Sequence, residues 1–348
     1  MRQSQESLKE IERFLPSKNY LLLISGRSAL YLGLELLKLS ARDEILVPGY
    51  VPEGVIKPII KKGIKYKFYD INVDFSLNIE EIEKRISEQT KAILIIHNFG
   101  FPQNIEELVM LCKEKNILLI EDCAQAFLSK YNDGSPIGKY GVISIFSLTK
   151  TFSIPDGGVL VLNNLGNDYR KEIKMKNLAK IYIFLRDYAI NVKSNLLKTV
   201  AFRLSYQLLN NFLIQPIPMS RKSLNILSKI DFSKVIRKRR NNFMRYLENI
   251  DAFTNKNIIV PFQNLPESIC PFGFPILVKK RDEIYNKLRS SGVYCLKNKG
   301  WTFIDEQDSN EYPNSWKIIN EILTLPVSQH ISEDLIDMAC SILRRRRS

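Results

Sequence analysis

Short apolar runs alternate with amphipathic segments over the first half of the chain. The runs EILVPGY, KYKFYDI, KAILIIHNFG, ILLIEDCAQA, VISIFS and GVLVLNN predict strands, and most are separated by segments with apolar residues at helical spacing. Strands that alternate with helices form βαβ units, whose sheet is mainly parallel and covered by helices on both faces. We therefore predict an α/β fold built on a large, mainly parallel sheet.

The pattern changes after about residue 165. Residues 170–220 are mostly of helical character, and FSKVIRKRRNNFMRYLENI predicts another helix. A strand, PFGFPILV, a helix, RDEIYNKLRSSG, and a last helix with Ser332 as its N-cap follow. We predict a large domain over residues 1–235 and a smaller C-terminal α+β domain over residues 236–348.

Composition limits the classes of protein and of site. The 348 residues are 45% hydrophobic and 25% charged, as in globular proteins, and the charged N-terminus and the lack of a long apolar run predict a cytoplasmic protein. Five cysteines without a CxxC motif and two histidines predict neither a disulfide framework nor a metal site. The net charge of +14 favours an anionic partner such as a phosphate, a nucleotide or a membrane surface.

Three polar motifs follow predicted strands, where ligands gather in parallel α/β sheets. SGRSAL (25–30) predicts an anion site at a helix start, Asp122 ends a buried strand, and Lys150 follows VISIFS. Each motif alone has a simple alternative: an ordinary helix cap, a structural ion pair and a surface lysine. Together they supply a phosphate cradle, a carboxylate and an amine, which are the groups that pyridoxal phosphate requires.

Motifs along most of the chain resemble those of one enzyme family. SGRSAL is similar to S-G-T-x-A-L, RDEILVPGY to G-D-E-V-I-V-P, LIEDCAQA to I-E-D-x-A-Q, and FSLTK with the following GG to F-S-x-x-x-x-K with G-G. KAILIIHNFG and the C-terminal ILTLPVSQHISEDL also resemble family segments. The chain thus resembles the DegT/DnrJ/EryC1/StrS family of sugar aminotransferases, which are fold-type I pyridoxal-phosphate enzymes.

The resemblance implies a role for each matching residue. Lys150 would be the Schiff-base lysine, Asp122 the partner of the pyridinium nitrogen, and Gln125 a contact of the cofactor ring or its 3′-oxygen. Gly157 and Gly158 would let the following backbone pack closely. The phosphate would be surrounded by Gly26, Arg27, Ser28 and Ser147.

The sequence also departs from the family pattern. Arg27 stands where the family has Thr, and an arginine can pair with phosphate directly. The spacing from Ser147 to Lys150 is two residues shorter than usual. Pro52 replaces an expected aromatic residue and leaves Tyr50 as the candidate for stacking on the cofactor ring. The family's N-Y-R-M segment is absent, and MSRKS (219–223) lies in that region. His97 is either a packing residue or a substrate contact.

A basic stretch lies between residues 170 and 203, with nine Lys or Arg residues and two acidic residues. Apolar residues recur on one helical face from Val192 to Phe212. The simpler interpretation is that this face packs on the large domain or on a dimer partner, with the lysines in solvent. The alternative is a helix that lies on an anionic membrane surface, or a rim that gathers nucleotide- or lipid-linked phosphates.

The family resemblance implies a cytoplasmic, homodimeric aminotransferase that depends on pyridoxal phosphate. It would convert a keto-sugar, linked to a nucleotide, into an amino sugar with glutamate or glutamine as donor, and we expect no nucleic-acid partner. One alternative is a related pyridoxal-phosphate enzyme, such as a deoxysugar dehydratase, although that branch commonly has histidine in place of the lysine. Another is a non-catalytic, membrane-associated scaffold that has kept the fold.

Overall fold

A computed structural model describes residues 8–163, 214–250, 258–297 and 304–344. The basic stretch predicted over residues 170–203 lies outside these ranges, so both interpretations of it stay predictions. Among the described residues, no helix is long and apolar enough to cross a membrane.

A seven-stranded sheet forms the centre of the larger part of the structure. Its strands are β1 (Tyr20–Leu23), β2 (Glu44–Pro48), β3 (Lys65–Tyr69), β4 (Thr90–Ile96), β5 (Leu118–Asp122), β6 (Ile143–Ser147) and β7 (Gly158–Leu162). They lie in the order β1-β7-β6-β5-β4-β2-β3. Pairing is parallel from β3 through β2, β4 and β5 to β6, whereas β7 runs antiparallel to both β6 and β1. The predicted, mainly parallel sheet is therefore confirmed.

Helices cover both faces of this sheet, and further helices pack against the C-terminal part of the structure. In chain order the helices are α1 (residues 8–12), α2 (Gly26–Leu36), α3 (Glu53–Lys61), α4 (Ile79–Arg85), α5 (Glu106–Glu114), α6 (Arg221–Leu227), α7 (Phe232–Asn249), α8 (Arg281–Ser290), α9 (Pro313–Glu321) and α10 (Glu333–Arg344). Along β4, Ala92, Leu94 and Ile96 belong to one hydrophobic cluster, while Ile93 and Ile95 belong to another. Successive side chains of a strand point to opposite faces, so both faces are apolar and need covering.

The start of β7 passes very close to the start of α2. A Cβ atom placed on Gly158 would lie 2.1 Å from the carbonyl carbon and oxygen of Ser25 and 2.6 Å from the amide nitrogen of Gly26. These are backbone atoms that cannot move aside cheaply, so only glycine fits at residue 158. The close backbone packing predicted for Gly158 is confirmed.

A second, three-stranded antiparallel sheet lies in the C-terminal part of the chain. It consists of β8 (Ile258–Ile259), β9 (Gly273–Val278) and β10 (Ile322–Pro326) in the order β10-β9-β8. The sequence predicted β9, α7, α8 and α10, and α10 begins at Glu333, directly after the predicted cap Ser332. β8, β10 and α9 were not predicted.

Helix α7 connects the two sheets. Phe232 and Val235 at its start, and Phe243 and Tyr246 further along, are buried in one continuous hydrophobic cluster that includes residues of both sheets. The predicted boundary between residues 235 and 236 falls within this helix. The division into domains of residues 1–235 and 236–348 stays a prediction.

Candidate active site

Asp122 is the last residue of the buried strand β5. The residue is 6% exposed, and its carboxylate Oδ1 accepts a hydrogen bond of 2.8 Å from the backbone N–H of Ala124. Within the described chain, Oδ2 receives no protein donor. Burial raises the pKa of Asp122, and the charge of Lys150 and the Ala124 N–H only partly oppose this effect. The site can therefore accommodate a cationic or N–H ligand group beside this carboxylate.

Lys150 lies just beyond the neighbouring strand β6, in the 3₁₀ turn Leu148–Lys150. Strands β5 and β6 pair in parallel, with Asp122 opposite Ile145, so their carboxyl ends lie at one edge of the sheet. The Lys150 side chain is half-buried. Burial lowers the pKa of its ammonium group, Asp122 opposes this shift and Arg27 adds to it. A larger fraction of the amine is thus uncharged at neutral pH than for a surface lysine.

The N-terminus of α2 reaches the same edge of the sheet. Ser25 caps this helix by accepting the backbone N–H of Ser28 at 3.1 Å. A Cβ atom on Gly26 would lie 3.4 Å from Cβ of Ser147, so the helix start touches the end of β6. Arg27 passes over Gly54, whose Cβ would be 3.3 Å from the Arg27 Nε. The helix start and the Arg27 guanidinium together place positive electrostatic potential beside Lys150.

Two of the predicted phosphate ligands have protein partners of their own. The hydroxyl of Ser28 is buried and donates to the carbonyl oxygen of Gln215. The hydroxyl of Ser147 lies 3.2 Å from that of Thr149. Ser147 is thus close to Gly26 and Lys150, whereas the Ser28 hydroxyl is directed to another segment. The phosphate contacts of all four predicted residues stay predictions.

Gln125 and Tyr50 are both buried. The side-chain oxygen of Gln125 accepts the backbone N–H of Phe99 at 2.7 Å, which leaves its NH₂ group as the part that can donate to a ligand. The ring of Tyr50 packs edge-on against Phe75, with 5.6 Å between the ring centroids. Stacking of Tyr50 on a cofactor ring stays a prediction.

A hydrogen-bonded network, the Glu121 network, lies next to this site and was not predicted. Oε2 of the fully buried Glu121 accepts from Tyr131 at 2.5 Å and from Nε2 of His97 at 3.0 Å. Oε1 accepts the backbone N–H groups of Tyr140, at 2.8 Å, and Gly141. Burial opposes the charge of Glu121, but these donors outweigh it and lower the pKa of the carboxyl group.

His97 is a structural member of the Glu121 network. Its Nδ1 accepts the backbone N–H of Gln103 at 3.0 Å, so the ring proton resides on Nε2 and is donated to Glu121. His97, Glu121 and Cys123 could supply metal ligands within 4.8 Å of one another. However, both ring nitrogens and both carboxylate oxygens already have protein hydrogen-bond partners, so we describe the group as a hydrogen-bonded network.

The segment around MSRKS (219–223) folds against the candidate site in its own chain. Ser220 N–H donates to the buried carboxylate of Asp156 at 2.8 Å, and the Asp156 N–H donates to Ser223 Oγ at 3.2 Å. The backbone N–H of Met219 donates to the carbonyl oxygen of Leu22 in β1 at 3.1 Å. This segment therefore fixes the loop that follows Lys150.

Comparison with known proteins places the chain in a family. Residues 3–189 match the model of the DegT/DnrJ/EryC1/StrS aminotransferase family. This match includes more than half of the chain, and the chain therefore belongs to the DegT/DnrJ/EryC1/StrS aminotransferase family. The resemblance seen in the sequence motifs is thereby confirmed.

Individual relatives match different lengths of the chain. It is 38% identical over 143 residues to the GDP-perosamine synthase of Escherichia coli O157:H7, which covers 40% of this chain and 39% of that protein. It is 25% identical over 356 residues to the dTDP-4-amino-4,6-dideoxy-D-glucose transaminase of Shigella dysenteriae, which covers 98% and 89%. The first match thus spans about two fifths of that relative's length, whereas the second extends along nearly all of the chain.

A relative with a different reaction and a solved structure add to this comparison. The chain is 25% identical over 288 residues to the GDP-4-keto-6-deoxy-D-mannose 3-dehydratase of Escherichia coli O55:H7, covering 79% of this chain and 71% of that protein. The structure of Spr1654 from Streptococcus pneumoniae, in its PLP form, superimposes with a TM-score of 0.74 at 18% identity, covering 98% of this chain and 90% of that one. The predicted fold-type I aminotransferase-like fold is confirmed.

Proposed function

We propose that the protein is a pyridoxal-phosphate-dependent aminotransferase that makes an amino sugar from a keto-sugar. The observation that carries this proposal is the pair formed by Asp122 and Lys150. A buried carboxylate and a half-buried amine lie at the carboxyl ends of neighbouring parallel strands, and burial opposes the charge on both. A structural ion pair would need neither a free carboxylate oxygen nor the adjoining helix N-terminus.

The residues of the site fit pyridoxal phosphate. When bound, this cofactor supplies an aldehyde for the amine and a conjugated ring that withdraws electrons from the reacting carbon. Lys150 would hold the aldehyde carbon, Asp122 would face the pyridine nitrogen, and the NH₂ group of Gln125 would donate to the ring oxygen. Gly26, Arg27 and Ser147 would hold the phosphate. The second oxygen of Asp122 has the chemistry that a protonated pyridine nitrogen needs.

Lys150 would also move protons during the reaction. Because burial lowers the pKa of its amine, Nζ can accept the α-proton of the amino donor at neutral pH. Asp122 favours the charged form of Lys150 and would stabilise the resulting ammonium group.

The relatives support the kind of substrate. A GDP-perosamine synthase and a dTDP-linked aminosugar transaminase both act on sugars joined to nucleotides, as their names state. We therefore propose a nucleotide-linked keto-sugar as the acceptor, glutamate or glutamine as the donor, and a homodimer as the assembly. The transaminase match extends along nearly the whole chain and therefore supports this substrate class better than the shorter match to the perosamine synthase.

A dehydratase is the second candidate. The matching GDP-4-keto-6-deoxy-D-mannose 3-dehydratase supports this candidate. Lys150 argues against a dehydratase, because that branch of the family commonly has histidine at this position. A non-catalytic scaffold would retain the fold without using the Asp122–Lys150 pair. Binding of pyridoxal phosphate, with bleaching of its absorbance by glutamate, would exclude the scaffold. Mass spectrometry of the product from a nucleotide-linked keto-sugar would distinguish amination from dehydration.

The first test is substitution of the proposed catalytic lysine. In the wild-type protein, borohydride reduction should attach pyridoxal phosphate to Lys150, identified by peptide mapping. Lys150→Ala should lose this attachment and reduce turnover by a factor of at least about 1,000, since the covalent link and the base are both removed. The control is Lys139→Ala, which removes a lysine paired 2.6 Å from Asp133 and should change neither result. Cofactor attached to another lysine in the wild-type protein would contradict the assignment.

A further inference from the structure

Arg239 of helix α7 is a buried guanidinium group for which the described residues provide no carboxylate partner. It is 4% exposed, and burial lowers its pKa. All its hydrogen-bond partners in the described structure are neutral oxygen atoms. Burying an unpaired charge is costly, so the position is expected to have a specific purpose.

The partners of Arg239 belong to three separate segments. Its Nη2 donates to the carbonyl oxygen of Thr151 at 3.2 Å, and its Nε donates to Oε1 of Gln329 at 3.0 Å. Its Nη1 donates to the carbonyl oxygens of Pro271 and Phe272, at 3.2 and 3.3 Å. Gln329 in turn donates from Nε2 to the same Thr151 carbonyl at 3.2 Å. The planar fork of an arginine can join segments in this way, whereas a lysine ammonium cannot span them.

Two of these segments lead directly to proposed cofactor ligands. Thr151 follows Lys150 in the chain, and its carbonyl oxygen accepts both Arg239 and Gln329. The backbone N–H of Phe272 donates to the carbonyl oxygen of Phe99 at 2.8 Å, and the N–H of Phe99 donates to the Gln125 side chain at 2.7 Å. One guanidinium group therefore supports the backbone on both sides of the site.

We propose that Arg239 is a positioning residue, which with Gln329 fixes the turn that carries Lys150 relative to the segment that holds Gln125. The proposal rests on the proposed function in taking Lys150 and Gln125 as cofactor ligands. Its direct consequence, an ordered turn at residues 148–152, does not depend on the cofactor. Loss of the guanidinium should loosen the turn and lower kcat, while the KM for the keto-sugar stays unchanged.

Hydrogen exchange of the cofactor-free protein tests the structural part. The backbone N–H groups of Thr151 and Phe152 both donate to the carbonyl oxygen of Leu148, at 3.1 and 2.8 Å. In Arg239→Met their exchange should become faster by about tenfold or more, while β4 and β5 keep their protection. Arg239→Lys should restore little of the protection, because one ammonium group cannot reach all three segments.

Arg240→Met is the matched control. Arg240 is the next residue of the helix and also donates to two carbonyl oxygens, those of Pro266 and Ile269, at 2.6 and 2.7 Å. In the described part of the chain, Arg240 makes no hydrogen bond to Thr151. This variant should leave the exchange of residues 151–152 and kcat at wild-type values.

The second variant, Gln329→Met, keeps the buried charge but removes one donor to the Thr151 carbonyl and the acceptor of the Arg239 Nε. It should speed exchange at residues 151–152 by a smaller factor and lower the rate of borohydride attachment at Lys150. Unchanged exchange at these residues in both variants would overturn the proposal. Equal acceleration in the turn and in β4 and β5 would also overturn it, since that result means general destabilisation. If Arg239→Met does not fold, the exchange of residues 151–152 in Gln329→Met alone tests the positioning role.

The two proposals fail in different ways. If wild-type Lys150 does not bind pyridoxal phosphate, the proposed function fails even when the exchange results are as expected. If Lys150 binds the cofactor but Arg239→Met leaves exchange and kcat unchanged, only the positioning role fails.

Discussion

Replacing Glu121 by glutamine tests the charge at the centre of the Glu121 network. An amide puts an NH₂ group where the carboxylate had an oxygen atom, and both oxygen positions face donors. On one side the donors are the backbone N–H groups of Tyr140 and Gly141, which cannot become acceptors. On the other side Tyr131 can rotate its hydroxyl. His97 cannot become an acceptor at Nε2, because its ring proton would then lie on Nδ1 and face the backbone N–H of Gln103.

The expected loss of stability follows from this conflict. A hydrogen bond to a charged group contributes about 1.5–3 kcal/mol, so losing the two at one oxygen position costs about 3–6 kcal/mol. The entropy of unfolding is about 2.1 cal/mol/K per residue, so for 348 residues this cost lowers the unfolding midpoint by about 4–8 °C. Differential scanning calorimetry at pH 7 on wild type and Glu121→Gln measures the difference.

Glu311→Gln is the control. Glu311 also pairs with a basic side chain, that of Arg85, but its own side chain is 53% exposed. Exposed pairs contribute at most about 1 kcal/mol, so the midpoint of this variant should change by less than about 2 °C. A Glu121→Gln midpoint within about 1 °C of wild type would refute the reasoning, because the charge would then have no stabilising role.

The same comparison has a predicted pH dependence. The pKa of Glu121 is lower in the folded protein than its ordinary value, so the unfolded chain takes up the proton first as the pH falls. The stabilisation is therefore complete above about pH 5 and is lost progressively as the pH drops through the folded-state pKa. The difference between wild type and Glu121→Gln should shrink in that acidic range and stay constant from pH 6 to 8.

Two further predictions concern the candidate active site. Asp122→Asn should keep the fold but lower turnover by about 100-fold or more, because an amide cannot balance a positive charge on the cofactor nitrogen; steady-state kinetics beside a thermal melt measures this, and near-wild-type turnover would remove Asp122 from that role. Gly158→Ala should cost about 1–3 kcal/mol and weaken retention of pyridoxal phosphate, since its Cβ would lie 2.1 Å from backbone atoms of Ser25. Gly54→Ala, whose new Cβ would have three atoms of the flexible Arg27 side chain as its nearest neighbours, should retain the stability of the wild type in urea unfolding; equal losses in both variants would contradict the steric argument.

The large sheet and the edge that carries the candidate site could be predicted from the sequence alone. Apolar runs of strand length, separated by segments of helical period, require a parallel sheet covered on both faces. Polar residues directly after such runs must lie at the carboxyl edge, because the covalent order of the chain places them there. For this reason the sequence already placed Asp122 and Lys150 at this edge, whereas their roles stay predictions.

The partners of the buried charges were decided only by the tertiary structure. Glu121 precedes Asp122 in β5, and the alternation of the strand turns their side chains to opposite faces. Its donor His97 directly follows β4, and its donor Tyr131 lies in a later loop. Arg239 lies 88 residues from Thr151. The hydrophobic periodicity of a helix or strand carries no information about contacts between residues so far apart in the chain.

The antiparallel insertion of β7 and the short C-terminal elements also depended on the tertiary structure. β7 pairs with both β6 and β1, and the sequence marks this only by the glycine that the close approach to Ser25 requires. β8 is two residues long, and β10 pairs with β9, from which α8 and α9 separate it in the chain. Such elements are stabilised mainly by cross-strand packing rather than by their own propensity. They could therefore not be predicted from the sequence without knowledge of their strand partners.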